Sequence, residues 1–225
     1  MWCVPAINDE FIDRMEDVLS RYALPYNEKE PVVCLDERPV VLHDSERPCI
    51  PMSPGKVARV DYEYVRCGTA NIFAIVEPLT GRRLTYATAN RTGRAFAKAL
   101  RRIARRYRSA RLIHLIVDNL STHTEKSLVD AYGAFLGRQL WRRFALHYTP
   151  KHASWLNAAE LEISLVSREC LGSRRIAGLP TLIAEVRTWS RVADRARRAI
   201  KWSFRVSDAR RTFRYGGLNT TRSKY

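Results

Sequence analysis

The chain has 225 residues, 46% of them hydrophobic, enough for one sizeable core and marginal for two. Its 39 Lys and Arg against 23 acids leave a net charge of +16, which points to a polyanionic partner, most often nucleic acid. No stretch reaches the roughly 18 apolar residues of a membrane span. Asp9, Glu10, Asp13, Glu16 and Asp17 put acid where a secretory signal needs a basic start and an apolar middle, so the expected location is the cytoplasm. Cys3, Cys34, Cys49, Cys67 and Cys170 form no C-x-x-C pair and are odd in number, so free, mostly buried thiols are expected.

The first element is a helix over 8–22. Asn8 caps it, the first turn is acidic, and Phe11, Met15, Val18 and Tyr22 share one face. After Pro25 and Pro31, the run Val32-Val33-Cys34-Leu35 reads as a buried strand that ends on Asp36. Residues 38–60, with Pro39, Pro48, Pro51 and Pro54-Gly55, read as an irregular surface arm. Strands over 71–77 and 82–89 flank the turn Pro78-Leu79-Thr80-Gly81 and form a hairpin. A helix over 93–107 turns Phe96, Leu100, Ile103 and Tyr107 inward and Lys98, Arg101, Arg102 and Arg105 outward.

The strand over 112–117 again ends on an acid, Asp118. One helix is expected over 126–141, a fifth strand over 144–148, a loop over 150–157 and a helix over 158–170. In that last helix Ala159, Ile163, Val166 and Cys170 face inward. A further helix spans 181–196, and a basic tail follows. The order predicts an α/β domain with a mixed sheet, antiparallel on one side and parallel on the other. The expected organisation is an N-terminal helix and lead-in over 1–30, the main domain over 31–200 and a basic tail over 201–225.

Asp36 and Asp118 end two strands that meet if they are neighbours, and Glu160 starts a helix directly after a loop. Three converging carboxylates repel one another and call for cations, and oxygen-only ligands suit Mg²⁺ or Mn²⁺. Each acid alone has a plainer reading, as a turn residue, a helix cap or a partner of the helix dipole. What surrounds the three acids decides between these readings. The segments Val32-Val33-Cys34-Leu35-Asp36-Glu37, Leu115-Ile116-Val117-Asp118-Asn119-Leu120-Ser121-Thr122-His123 and His147-Tyr148-Thr149-Pro150-Lys151-His152-Ala153-Ser154-Trp155-Leu156-Asn157-Ala158-Ala159-Glu160 resemble the three catalytic blocks of bacterial insertion-sequence transposases related to the mariner elements. Arg59-Val60-Asp61-Tyr62-Glu63-Tyr64, Gly68-Thr69-Ala70-Asn71 and the stretch 163–171 extend the resemblance over most of the chain.

The resemblance implies an RNase H-like fold with a mixed five-stranded sheet and helices on both faces. It implies a DDE triad of Asp36, Asp118 and Glu160 that holds two Mg²⁺ or Mn²⁺ ions. Glu162 competes with Glu160, but the two point about 200° apart on a helix, and Glu160 holds the family's place, three residues after Asn157. Glu37 faces away from Asp36 on a strand and is left out of the site. Asn119 and His123 either orient Asp118, touch a phosphate or simply brace the loop. Trp155 either stacks on a base or anchors its loop, and Asn157 supports the same block.

Double-stranded DNA, as transposon ends and target, is the implied partner, with a homodimer as a further one. Its expected phosphate contacts are Lys98, Arg101, Arg102, Arg105, Lys151, Arg197, Arg198, Lys201 and Arg205, with Arg210 and Arg211 in the tail. A merely solubilising face is the plain alternative for the helix. Such transposases carry an N-terminal helix-turn-helix, whereas one helix precedes Asp36 here. The catalytic half alone is therefore expected, from a split reading frame or a decayed element. A catalytically dead DNA-binding remnant and a structure-selective nuclease of the same fold are the alternatives.

Overall fold

The computed structural model describes residues 7–59 and 61–216. A five-stranded sheet runs in the order β3-β2-β1-β4-β5. Its strands are β1 (Val32–Ser45), β2 (Tyr64–Glu77), β3 (Arg82–Thr88), β4 (Ile113–Val117) and β5 (Phe144–Tyr148). β2 pairs antiparallel with both β1 and β3, while β4 pairs parallel with both β1 and β5. The mixed sheet expected from the element order is therefore present.

Side-chain alternation splits the core into two layers. Val33, Leu35, Phe73, Ile75, Leu115 and Val117 face α2 (Gly93–Arg106), whose Phe96, Leu100 and Ile103 pack against them. Cys34, Val76 and Ile116 face the other way, onto α1 (Asp9–Tyr22) through Phe11, Met15, Val18 and Leu19. On that same side Ile72 and Ala87 meet Leu182 and Val186 of α6 (Leu179–Ala196). Helices thus cover both faces. Among the described residues, no helix is long and apolar enough to cross a membrane.

Several expectations are corrected. β1 does not stop at Asp36 but runs on to Ser45 against β2, in register from Cys34↔Val76 to Ser45↔Tyr64 with a bulge after Leu42. Pro39 argued against a strand there because it cannot donate to a ladder. It is tolerated because β1 pairs with β4 only over Val32–Cys34, which leaves its far half without a partner on that side. The Leu35 carbonyl turns to that open side, and at two-residue spacing so does the backbone of Pro39.

The helix expected over 126–141 is two, α3 (Glu125–Tyr132) and α4 (Ala134–Trp141). They part at Gly133, whose φ of 82° is one that side-chain-bearing residues avoid. Gly137 then lets α4 lie against the Leu128 backbone, where a Cβ would come within 2.7 Å. The helix expected over 158–170 is α5 (Ala159–Leu165) followed by a wider π-type turn over Val166–Leu171. Ala159, Ile163, Val166 and Cys170 are buried, as the periodicity predicts.

The tail is also more ordered than its composition suggests. It contains α7 (Val206–Phe213), and Ile200, Trp202, Phe204, Val206 and Phe213 pack onto the α1 cluster. Cys34 and Cys170 are buried, whereas Cys49 and Cys67 are exposed, so the thiols are not mostly buried. Cys3 and residues 217–225 lie outside the described residues.

Candidate active site

Two parallel strands that part company create the site. The last β1–β4 pair is Cys34↔Ile116. Asp36 and Asp118 each come two residues later, where β4 has ended and β1 continues paired with β2 only. The crevice beyond the carboxyl ends of parallel strands is where α/β sheets place ligands. Asp36 is 8% exposed and accepts a 2.8 Å hydrogen bond from the Glu37 N–H. Burial pushes its carboxyl up to about 7, and the charges of Glu160, Asp118 and Glu37 add to the push. Glu160 itself is partly exposed in the first turn of α5.

Glu162 is elsewhere. It is fully buried, and Arg83 Nε donates to its Oε2 at 2.8 Å. Burial raises its carboxyl, and the Arg83 guanidinium works against that rise. Arg83 also donates to the carbonyls of Gly81 at 2.7 Å and Arg198 at 2.6 Å, so one guanidinium ties β3, α5 and the segment after α6 together. Of the two rival glutamates, Glu162 is paired inside the fold, whereas Glu160 is partly exposed and makes no ion pair among the described residues.

The loop before α5 is held from two sides. Asn157 Nδ2 donates to the Leu35 carbonyl at 2.8 Å, filling the acceptor that β4 leaves open, and Asn157 Oδ1 accepts from the Ala159 N–H at 3.1 Å. Tyr22, at the end of α1, places its hydroxyl between the Leu156 carbonyl at 2.8 Å and the Ala158 N–H at 3.0 Å. Its ring stacks on Trp202 with centroids 4.6 Å apart. Sequence reading saw Tyr22 only as one member of an apolar face. The signal available was an aromatic carrying a hydroxyl in a buried stripe, since such a group needs a partner. Tyr22→Phe strands the Ala158 N–H and the Leu156 carbonyl just ahead of Glu160. The expected cost is about 1–3 kcal/mol of stability in a urea titration. A loss below about 0.3 kcal/mol would show that the hydroxyl does not hold the loop.

His123 lies on the far side of Asp118. Its Nδ1 is 3.0 Å from both the Asp118 backbone oxygen and Oδ1, and its Nε2 is 3.1 Å from Glu37 Oε1. Burial works against charge on this ring, but the hydrogen bonds and charges of Asp118 and Glu37 outweigh it and lift its pKa to about 10. Glu37 does face away from Asp36, as alternation requires, yet His123 links it to Asp118 around the end of β4. Among the described residues, Glu37, Asp118 and His123 form the cluster whose ligand atoms all lie within 4.8 Å of one another. It is a chain and not a metal cage: opposite nitrogens of one imidazole serve two acids, and a single ion could take only one of them. Asp36, Asp118 and Glu160, in contrast, form no ion pair with Lys or Arg among the described residues. Their all-oxygen donor set and the raised Asp36 carboxyl fit a hard divalent cation.

The other expected residues fall into three groups. Lys98, Arg101, Arg102 and Arg105 are exposed along α2, with Arg94 beside them. Arg101 lies over the Tyr132 ring at 5.3 Å and Arg102 over the Tyr86 ring at 4.0 Å. This helix starts beside the site, because Phe96 in its first turn stacks on His123 at 4.3 Å. Lys151 and Asn119 are exposed on loops flanking the crevice, while Trp155 is half-buried and packs edge-on against Phe204 at 5.6 Å. Trp155 is thus anchored by the C-terminal segment.

The tail cations are better compensated than their crowding suggests. Arg197 pairs with Asp194 at 3.3 Å, Arg198 lies 3.8 Å from Glu169, and Arg211 pairs with Asp208 at 2.7 Å. Arg210 grips Glu16 at 2.8 and 2.9 Å. Lys201 and Arg205 are exposed and line a groove with Arg21, Tyr22 and Trp202.

The family model described as DDE superfamily endonuclease matches residues 31–183, a span that holds β1 to β5 and all three carboxylates. Among solved structures, the Mos1 mariner paired-end complex with Mn matches with a TM-score of 0.55 and 14% identity, over 87% of this chain and 60% of that one. A pre-cleavage Mos1 transpososome matches at 0.54 with 14% identity, over 87% and 60%. The Mos1 strand transfer complex matches at 0.52 with 14% identity, over 87% and 59%. These likenesses give the fold, which is RNase H-like, and the chain spans about 60% of the length of these proteins. No curated protein matches the chain. By the family model, which covers most of its length, the chain belongs to the DDE superfamily of endonucleases.

Proposed function

We propose that this chain is the catalytic part of a transposase. Water attacks a DNA phosphodiester so that one strand ends in a 3′-hydroxyl, and the oxygen of that hydroxyl then attacks a target phosphodiester, forming a new P–O bond while the target's own 3′-oxygen leaves. What supports this reading is the position of Asp36 and Asp118, each two residues beyond the last β1–β4 pair, and of Glu160 in the first turn of α5, with no Lys or Arg paired to any of them among the described residues. In this reading the three carboxylates hold two Mg²⁺ or Mn²⁺ ions. Such a pair, when bound, would supply activation of an attacking water and stabilisation of a leaving oxygen. Asn157 and Tyr22 fix the loop that presents Glu160, and His123 backs Asp118. The similar Mos1 structures include a paired-end complex with a left transposon end and a strand transfer complex, which supports DNA ends and target as the substrates. A homodimer belongs to the same reading, and light scattering with and without DNA tests it.

Nicking of supercoiled plasmid in Mn²⁺, with terminal transferase labelling of the product, tests the chemistry. The expected result is nicks that carry 3′-hydroxyls and vanish with chelator. A panel with branched junctions separates a transposase from a structure-selective nuclease of the same fold, since preference for junctions would favour the latter. A remnant without catalysis would show neither nicking nor Mn²⁺ heat in a calorimeter.

The α2 face is proposed to hold the phosphates, because its cations are exposed and lead away from the site. Arg94, Lys98, Arg101, Arg102 and Arg105 together predict a log–log salt slope of about −4.5 on duplex DNA, at about −0.9 per phosphate. Replacing Lys98 and Arg105 with Ala is expected to flatten that slope by about 2. An unchanged slope would move the DNA elsewhere on the protein.

A further inference from the structure

Glu37 is only 3% exposed, and its carboxylate lies on the apolar α2 side of β1. What keeps it there is His123, whose Nε2 lies 3.1 Å from its Oε1. The ring has little freedom of its own. It is fully buried, is stacked on Phe96 with centroids 4.3 Å apart, and follows a backbone whose carbonyl accepts from Tyr148 Oη at 2.8 Å. Its other nitrogen meets the Asp118 backbone oxygen and Oδ1, both at 3.0 Å. Asp118 is about a third exposed as a side chain, yet its Oδ1 is shut away from solvent without a hydrogen-bond partner, and what lies beside it at 3.0 Å is this ring, whose Nδ1 bonds the Asp118 backbone oxygen.

We infer that Glu37 positions Asp118 through His123. Glu37 fixes the rotation of the ring, and the ring fixes the rotation of the carboxylate, so that Asp118 meets its ligand already oriented. The inference rests on the reading of Asp118 as a metal ligand and extends the site to the opposite face of β1. Outer partners of ligating groups act in this way, holding geometry without touching the ion. Glu37 is therefore a positioning residue and not a catalytic one.

The test is a double-mutant cycle read by Mn²⁺ calorimetry. Glu37→Leu is expected to weaken Mn²⁺ binding by about 10–100-fold. Glu37→Gln keeps an acceptor oxygen for Nε2 and is expected to retain most of the affinity. In a His123→Ala background Glu37→Leu should change nothing further, because the path is already cut. Wild-type affinity in Glu37→Leu would overturn the inference, and so would additive losses, which would mean that Glu37 acts on the ion directly. If Glu37→Leu does not fold, the doubly apolar Glu37→Leu/His123→Phe variant keeps the stack on Phe96 and carries the same expected loss. Wild-type Mn²⁺ affinity in that variant would equally overturn the inference. A crystal structure of metal-free Glu37→Gln and of the Leu variant that folds gives a readout that needs no ion. The Asp118 carboxylate should keep its place in the first and rotate in the second, and an unmoved carboxylate in both contradicts the inference. A wild-type protein that takes up no Mn²⁺ counts against the metal reading, and these two structures still decide the role of Glu37.

Discussion

Asp118→Ala is expected to reduce Mn²⁺-dependent nicking by on the order of 10³-fold or more while leaving DNA affinity intact. A shared metal ligand contributes several kcal/mol to the stabilisation of developing charge, and each ~1.4 kcal/mol is a factor of ten in rate. The sign of the binding effect follows from charge. Removing a carboxylate from a surface that meets phosphates takes away repulsion, so duplex affinity stays level or rises slightly. Asp118 is partly exposed and ends a strand, so the fold survives its loss. Nicking rate and duplex affinity measured side by side check both halves. A variant that cuts at the wild-type rate, or that loses binding and cutting together, contradicts the assignment.

The second large effect separates two glutamates that sit two residues apart. Glu162→Ala leaves the Arg83 guanidinium buried at 4% exposure without its counter-charge. Breaking such a pair costs about 3–5 kcal/mol, out of the roughly 5–15 kcal/mol that hold a domain together. Its urea midpoint is therefore expected to fall steeply. Glu160→Ala should move stability by no more than about 0.5 kcal/mol, because a partly exposed side chain without a structural partner is lost, and should abolish nicking. Replacing both members of the buried pair, with Arg83→Met and Glu162→Leu, should recover part of the stability. The recovery is incomplete because the carbonyls of Gly81 and Arg198 lose their donor, at about 1 kcal/mol each. If Glu160→Ala unfolds the protein while Glu162→Ala stays folded and stops cutting, the two roles are reversed.

Much of this was legible in the residues because it rests on local pattern. The apolar runs before Asp36 and Asp118 set the inner strands, and the i, i+4 stripe of α1 set its buried face. Helical spacing says that Glu160 and Glu162 point apart, while the preference for Glu160 comes from the resemblance, which places it three residues after Asn157. What was not legible depends on partners distant in sequence. Nothing near Pro39 says that β4 stops early and leaves β1 an open side, so a proline that usually ends a strand sits within one. Gly133 within a helical period reads as a tolerated glycine until its positive φ shows a break. The tail cations look uncompensated in sequence because Glu16, which binds Arg210, lies at the other end of the chain. Glu37 was set aside because alternation turns it away from Asp36. That geometry is right, but alternation cannot foresee an imidazole that reaches around a strand end.

The central claim is that Asp36, Asp118 and Glu160 together hold the catalytic cations. A crystal structure of the protein with Mn²⁺, read by anomalous scattering, tests it most directly. The account predicts two Mn²⁺ ions about 3.5–4 Å apart in the crevice where β1 and β4 separate, ligated by oxygens of all three residues. Ions held instead by Glu162, or by Glu37 with His123, or no ion at saturating Mn²⁺, would contradict it.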